Sequence, residues 1–464
     1  MTKTILVNKD NLIKNNYINK IKLVSTNDID DKEVLVEEET LYNFNRLKDY
    51  LMNLNIEVGI ISAYRSIEEQ EEIYNYYLKK YGSDYCNEYV ANPKESEHHT
   101  GLAIDFYIKV DGEYPKDDPA VYKDVVKYEE VHKVLKDFGF ILRYPKDKKE
   151  ITGYAYEPWH IRYVGKFVAN IIYQNNYTLE EYLNDYYGLI AVNKKKDMTS
   201  FDVVNKISHL FGIKKVGHTG TLDPLAEGVL IVAIGKATKV VELVTSKTKE
   251  YISDVVLGIR TDTRDITGKV IDKVDAINID NLDKVVESFQ KTYNQEVPIY
   301  SAVKVKGKKL YEYARNNENV ELPKKEVTIE KIEILEKNNN EFKLKTTVSK
   351  GTYIRSLIDD IGESLGTHAT MKTLTRTKQA NISIDEAYTL DEIENNNFKL
   401  LSVEYVLDYP VEVVDKQLEK KISNGQRIDN IFNVQDRIIF KNKSDKLLGI
   451  YEVDNNELKC WKNF

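Results

Sequence analysis

Residues 216–228 read VGHTGTLDPLAEG, three glycines and a proline crowded around Asp223, and residues 229–235 follow at once as VLIVAIG. Asp and Gly both favour bends, so a plain turn is the first reading of such a loop. Its flanks argue for more. Upstream, Ser200 is placed to cap a helix in which Phe201, Val204, Ile207, Leu210 and Phe211 recur at helical spacing, and Gly212 ends it. Downstream, VLIVAI has the length and composition of a buried strand. A carboxylate in a loop clamped between a packed helix and a packed strand is held in place, as a reactive group needs to be.

Two later segments supply partners. KEYISDVVLGIRTDT (249–263) alternates as a strand with Tyr251, Ser253, Val255 and Leu257 on one face. SKGTYIRSLIDDIGESLG (349–366) passes from strand to helix, with Tyr353 and Arg355 sharing a face and Leu357, Ile358, Ile361 and Leu365 turned inward. An Asp, an Arg and aromatic rings together suit a nucleobase: a ring stacks on it, and Arg keeps a partly buried Asp ionised and oriented.

Charge divides the chain before the Asp223 region. Residues 1–187 carry 24 Lys+Arg against 33 Asp+Glu, a net −9, which leaves about +1 for the remainder of a 464-residue chain of net −8. A polyanionic partner should therefore prefer the second part, through basic residues gathered on one face. TLEEYLNDYY (178–187) closes a helical pattern, and LIAVN resumes after Gly188 as a strand, placing a join near 187. After about residue 400, strand-like runs such as DRIIF and LLGIYEV alternate with polar turns, as in a small β-rich domain. The expected domains are 1–187, 188–400 and 401–464, an α+β multidomain chain. Two distant cysteines, no apolar leader at the start and no long apolar stretch point to a cytoplasmic protein with no membrane span.

The first part has a pattern of its own. In SEHHTGLAIDFY (96–107), Gly101 allows a turn, Leu102, Ile104 and Phe106 take one strand face, and Asp105 takes the other beside Ala103. His98 can fold back toward Asp105, and YEPWHIRYVG (156–165) brings Glu157 and His160 around Pro158. Two His and an Asp would leave an open position on zinc, with a nearby Glu as base.

These residues resemble the VanY-type zinc D,D-carboxypeptidases. Ser96, His98, Gly101, Ala103 and Asp105 meet the family's first signature, GFILRYP (139–145) and ITGYAYEPWHIRYVG (151–165) its second, and SAYRS (62–66) with Gln70 its substrate-side segment, with Ala63 where Gly is common. The resemblance implies an α+β domain over roughly residues 4–175, zinc bound by His98, Asp105 and His160, and Glu157 as general base. It also implies that Arg65 stabilises the oxyanion, that Gln70 and Ser96 lie on the substrate side, and that the substrate is a muropeptide or other D-Ala-terminated peptide.

The second part resembles the TruB-type tRNA pseudouridine synthases. The match runs through GLIAVNK, MTSFDVVNKI, GHTGTLDPLAEGVL, GKATK, KEYISDVVLGIRTDT, QEVPIYSAVKVKGKKLYEYAR (295–315) and SKGTYIRSL. It implies a mixed-sheet α/β catalytic domain that turns the T-loop uridine of tRNA into pseudouridine without a cofactor. Asp223 is then the nucleophile, Tyr251 contacts the base and Arg355 pairs with Asp223. His218 helps hold the displaced nucleotide, and Tyr353 and Leu374 line the pocket. A uridine inside a folded T-loop must be flipped out to be reached, and the glycines would let backbone approach it. The tRNA T-arm would meet Lys214, Lys215, Lys304, Lys306, Lys308 and Lys309. ISNGQRI and LLGIYEV resemble the family's PUA-like RNA-binding domain.

Departures from that pattern are Lys195, Lys196 and Asp197 in an early turn, Ile231 for a frequent Pro, and Ala380 and Ile382 for Gly and Phe. Two readings compete with a two-enzyme fusion: a tRNA-binding and folding factor with secondary chemistry, and a peptidase carrying an inert RNA part.

Overall fold

The computed structural model describes residues 2–115, 127–275, 277 and 279–464. The chain forms two compact units, the first built chiefly from the stretch ending at Tyr186 and the second chiefly from the stretch beginning at Tyr187.

The first unit is α+β. Helix α1 (Glu38–Met52) buries Leu41, Phe44, Leu47 and Leu51, spaced at three and four residues, so one stripe faces a sheet. That sheet holds β1 (Val58–Ser62), β2 (Ala103–Ile108), β3 (Phe140–Leu142) and β4 (His160–Tyr163) in the order β1-β2-β4-β3, all pairs antiparallel. Helices α2 (Ile67–Tyr81) and α3 (Ser83–Tyr89) follow β1. Strand β2 places Asp105 on the face opposite Leu102, Ile104 and Phe106, and neither face is open. All six of its residues are buried, because β1 and β4 flank it and side chains cover both faces.

The second unit is organised around a large mixed sheet. Its strands are β5 (Gly188–Lys194), β6 (Glu227–Ile234), β7 (Lys249–Leu257), β8 (Thr292–Glu296), β9 (Lys324–Lys337), β10 (Glu341–Val348) and β11 (Thr375–Gln379), in the order β8-β9-β10-β7-β11-β6-β5. Only the β11–β6 pair in this path is parallel. Strand β7 alternates as expected, burying Lys249, Tyr251, Ser253, Val255 and Leu257. Helix α4 (Ser200–Phe211) precedes the Asp223 loop, and α5 (Ile354–Ser364) follows β10.

Two details of α4 differ from the sequence reading. Thr199 caps it, accepting the Asp202 amide at 3.0 Å while Asp202 accepts the Thr199 amide at 2.9 Å. Its buried stripe is Val203, Ile207 and Phe211, while Phe201 is 66% exposed. The expected stripe of Phe201, Val204, Ile207, Leu210 and Phe211 therefore holds only at Ile207 and Phe211, with Val203 taking the place given to Val204.

Beyond residue 400, Val411–Val413, Ile428–Asp429, Arg437–Lys441, Leu447–Asp454 and Glu457–Asn463 form a five-stranded sheet. Alternation divides its faces. Ile438, Phe440, Leu448 and Tyr451 build a local core, whereas Ile439, Leu447 and Ile450 join Leu189, Ile231 and Val240 of the catalytic part. Among the described residues no helix is long and apolar enough to cross a membrane.

Candidate functional site

Each unit holds a cavity where its motif residues meet. In the first, strand register does the placing: Asp105 on β2 is the cross-strand partner of both Ser62 on β1 and His160 on β4. The turn Glu97–Thr100 brings His98 back over the strand, with Gly101 at φ +68° reversing the chain. His98 Nε2 lies 3.1 Å from Asp105 Oδ2, and His160 Nδ1 lies 3.0 Å from Asp105 Oδ1. Glu157 Oε2 is 3.7 Å from the same His160 nitrogen, across the turn at Pro158.

Electrostatics sharpen these roles. Burial, aided by Arg65, pushes the His98 ring down to about 4, leaving it neutral near pH 7. Burial opposes charge on His160 as well, but the Asp105 carboxylate outweighs it and holds that ring up at about 9. Asp105 is buried, yet the two imidazoles keep its carboxyl well below the usual range. Burial pushes Glu157 up to about 8, so without metal its carboxyl keeps a proton near neutrality.

The donor set fits zinc. His98, Asp105 and His160 each offer one ligand atom, all within 4.8 Å of one another and all buried. Two imidazole nitrogens and one carboxylate oxygen make a three-residue set of the catalytic kind, which leaves a position for substrate or water. His98 Nδ1–H donates to the Ala63 carbonyl at 2.5 Å, which leaves Nε2 without a proton and able to bind an ion.

Arg65 reaches the cluster with Nη2, 2.8 Å from Asp105 Oδ2, and lines the same cavity of about 290 Å³. Gln70, 1% exposed, accepts Arg65 Nη1 at 3.2 Å and donates to the Ala91 carbonyl, so it braces the arginine as well as lining the cavity. Ser96 lines the cavity too, and its hydroxyl accepts the His98 amide at 3.3 Å. Sequence reasoning missed Glu97, Arg143 and Glu180, a buried ion cluster behind His160 whose first member is the residue just before His98.

In the second unit, a cavity of about 300 Å³ gathers Asp223, Tyr251, Tyr353, Arg355 and Leu374. Arg355 is the second residue of α5 and is 6% exposed. Its Nη2 contacts Asp223 Oδ2 at 2.9 Å and donates to the Tyr300 carbonyl, while Nη1 donates to the Thr263 carbonyl at 3.0 Å and lies 3.4 Å from Asp265 Oδ2. Held at three other points, the guanidinium fixes a carboxylate that itself stays 40% exposed to the cavity.

The loop is pinned from outside. The Ser200 hydroxyl accepts the Leu222 amide at 2.9 Å and donates to the Leu222 carbonyl; Arg376 donates to the Gly220 carbonyl and Gln379 to the Thr219 carbonyl. Gly228 has a local reason to lack a side chain: at φ +99°, a Cβ would sit 2.3 Å from the Arg376 carbonyl oxygen. There the backbone approach serves β6 against β11.

Other expectations resolve differently. His218 is not on the lining of this cavity; its Nδ1 accepts the Gly220 amide at 3.3 Å, which shapes the loop. Lys304 and Lys306 are exposed, but Lys308 is taken up by Glu318 at 2.6 Å. The early turn is braced despite its lost proline and glycine, because buried Lys194 donates to the Lys195 and Met198 carbonyls. The cations missed in the sequence are Lys249, Lys325 and Lys350. With Arg376 they line the cavity, where Asp223 is the only acid among the described lining residues. Lys249 is pushed down to about 8 by burial and by these neighbours. Alternation marks Lys249 as inward-facing, the one available signal, whereas Lys325 and Lys350 arrive from distant strand ends.

Over 283 residues the chain is 42% identical to the tRNA pseudouridine synthase B of Fusobacterium nucleatum subsp. nucleatum, spanning 58% of this chain and 97% of that protein. The chain belongs to the TruB family of pseudouridylate synthases. Residues 208–354 match the TruB family pseudouridylate synthase N-terminal domain and 355–418 the tRNA pseudouridylate synthase B C-terminal domain. The Staphylococcus aureus (strain MSSA476) tRNA pseudouridine synthase B is 41% identical over 303 residues, 60% of this chain and 99% of that protein.

Residues 33–166 match the D-alanyl-D-alanine carboxypeptidase family VanY. A solved structure of VanYB in complex with D-alanine-D-alanine is 30% identical, with TM-score 0.33, covering 40% of this chain and 98% of that one. This member of the TruB family is thus fused to a VanY-type domain, and both families are enzymes.

Proposed function

We propose that the chain is a bifunctional enzyme: a tRNA pseudouridine synthase (188–400, with an RNA-binding 401–464) joined to a zinc D,D-carboxypeptidase (1–187). The observation that carries the first activity is the Asp223 carboxylate held by Arg355 at 2.9 Å in a cavity lined by Tyr251 and Tyr353, whose other charged lining residues are all cations. In the isomerisation the N1–C1′ bond of uridine breaks, the base turns, and C5 bonds to C1′; C5 loses a proton and N1 gains one. Asp223 is the nucleophile, Arg355 holds it aimed, and Tyr251 and Tyr353 hold the flipped base by stacking. All atoms come from substrate and solvent, so the chain's own residues suffice without a cofactor. Lys249, Lys325 and Lys350 suit the phosphates of a displaced T-loop nucleotide. A tRNA substrate sets this work in the cytoplasm.

For the peptidase, His98 Nε2, Asp105 and His160 Nδ1 would hold the zinc. When bound, zinc supplies Lewis acidity that polarises the scissile carbonyl and acidifies water. Glu157 takes the proton of the attacking water and passes it to the leaving amine. Arg65 supplies a cation for the charge that grows on the carbonyl oxygen of a D-Ala-terminated peptide.

Incubation of wild type and Asp223→Ala with unmodified tRNA, followed by single-nucleotide mapping of pseudouridine, tests the leading activity. Wild type should modify the T-loop uridine and the variant should not. Equal products from both, or none from wild type, would sink the assignment.

A further inference from the structure

Glu97, 1% exposed, spends its two oxygens differently. Oε1 accepts Arg162 Nη1 at 2.5 Å and lies 2.9 Å from Arg143 Nε, an ion pair without hydrogen-bond geometry. Both guanidinia are fully buried and held further: Arg143 by Glu180 at 2.6 and 3.0 Å, Arg162 by the Lys3 and Ile5 carbonyls. Oε2 has no hydrogen-bond partner, and His160 Nε2, 3.8 Å away, has none either. Two buried polar atoms, one able to donate and one able to accept, thus face each other across a gap slightly longer than a hydrogen bond. Buried polar atoms are rarely left so, and each such pair calls for a reason.

The rest of the His160 ring supplies it. Its other nitrogen, Nδ1, points at Asp105 Oδ1 at 3.0 Å, on the side where His98 Nε2 also converges. One face of the imidazole therefore looks into the ligand cluster and the other looks at Glu97. His98 is arranged in the same way, with Nε2 toward Asp105 and Nδ1 against the Ala63 carbonyl.

We infer that Glu97 is a positioning residue for the metal centre, its Oε2 accepting the Nε2–H of His160 and so fixing the tautomer that presents Nδ1 to the ion. This rests on the reading of His98, Asp105 and His160 as the zinc site. A carboxylate oxygen that accepts the outer N–H of a metal-binding imidazole orients the ring and fixes its tautomer. A purely structural ion cluster accounts for Oε1 and leaves Oε2 unexplained. Through Arg143 and Glu180 the same carboxylate ties the His160 ring to the helix Leu179–Asp185.

Only seven histidines are present, so the full chain labelled with ¹⁵N-histidine gives a tractable two-bond ¹H–¹⁵N spectrum. In the zinc-loaded wild type, His160 should be the Nε2–H tautomer with a downfield ring proton slow to exchange, and His98 the Nδ1–H tautomer. His160 as the Nδ1–H tautomer, in a protein that does bind zinc, overturns the inference alone. Failure of wild type to bind zinc in competition with a chromophoric chelator overturns both the inference and the reading beneath it. Glu97→Gln should lower zinc affinity in that competition by roughly 10- to 100-fold; unchanged affinity in the folded variant also overturns it. Should Glu97→Gln fail to fold, with two arginines left behind, the wild-type spectrum still decides.

Discussion

Glu157 carries the clearest pH signature of any single residue. Its carboxyl, pushed up to about 8 by burial, keeps in the folded metal-free protein a proton that the unfolded chain sheds near the ordinary value of 4.5. That stabilisation is complete below the ordinary value and drains away as pH rises toward about 8, at up to about 1.4 kcal/mol per pH unit. Below about pH 6.5 the lowered His98 ring offsets this slope, and above it the raised His160 ring adds to it, so urea unfolding in the presence of chelator should show the decline between about pH 6.5 and 8, and Glu157→Gln should make it shallower. Ala380 makes a second case. It sits at φ +54°, in the left-handed region, at the position where the resemblance expects Gly. Ala380→Gly should therefore raise the unfolding free energy, by about 1 kcal/mol, measured by chemical denaturation. The sequence reading noticed the departure at this position; the backbone angle shows its cost.

At the scale of elements, what was legible followed from periodicity. Strands β2 and β7 announce themselves by alternation, β6 by the length and composition of its apolar run, and helix α5 by a 3.6-residue stripe. What was not legible depends on partners distant in sequence. Ser200 looked like a helix cap, yet its hydroxyl clasps Leu222, 22 residues on. Arg355 was placed beside Asp223 by resemblance, while its other anchors, Asp265 and the Thr263 and Tyr300 carbonyls, lie 55 or more residues away and carry no local pattern. Glu97 was hidden because a Glu in a polar turn is ordinarily solvated, and only the two incoming arginines make it a core residue. Removing the clasp with Ser200→Ala leaves the buried Leu222 amide without its acceptor. Expected outcomes are a loss of about 1–2 kcal/mol in stability and a roughly ten- to hundredfold lower kcat for tRNA modification, since a loosened loop misplaces Asp223. Unfolding curves and single-turnover rates check both; an unchanged rate would show that Asp223 does not depend on this clasp.

For the whole molecule, the uneven charge noticed in the sequence, −9 before the join and about +1 after it, understates what the fold does locally. Near neutrality in sum, the second unit still concentrates Lys249, Lys325, Lys350 and Arg376 around one acid. Affinity for tRNA should fall steeply between 50 and 200 mM salt, and Lys325→Ala should reduce the log–log slope by about 0.7–0.9, one phosphate's share. Filter binding across a salt series measures it, and an unaltered slope would remove Lys325 from the RNA contact.

The pairing of Asp105 with His160 across β2 and β4 reaches further than ligand geometry. Because side chains alternate, sliding β2 by a single residue would turn Asp105 to the opposite face and scatter the donor set. The site therefore exists in one alignment of the sheet only, and an ion captured there stabilises that alignment over every slipped neighbour. Zinc would act as a proofreader of strand pairing: chains folded out of register would fail to retain it, and the metal content of a preparation would count the correctly assembled molecules.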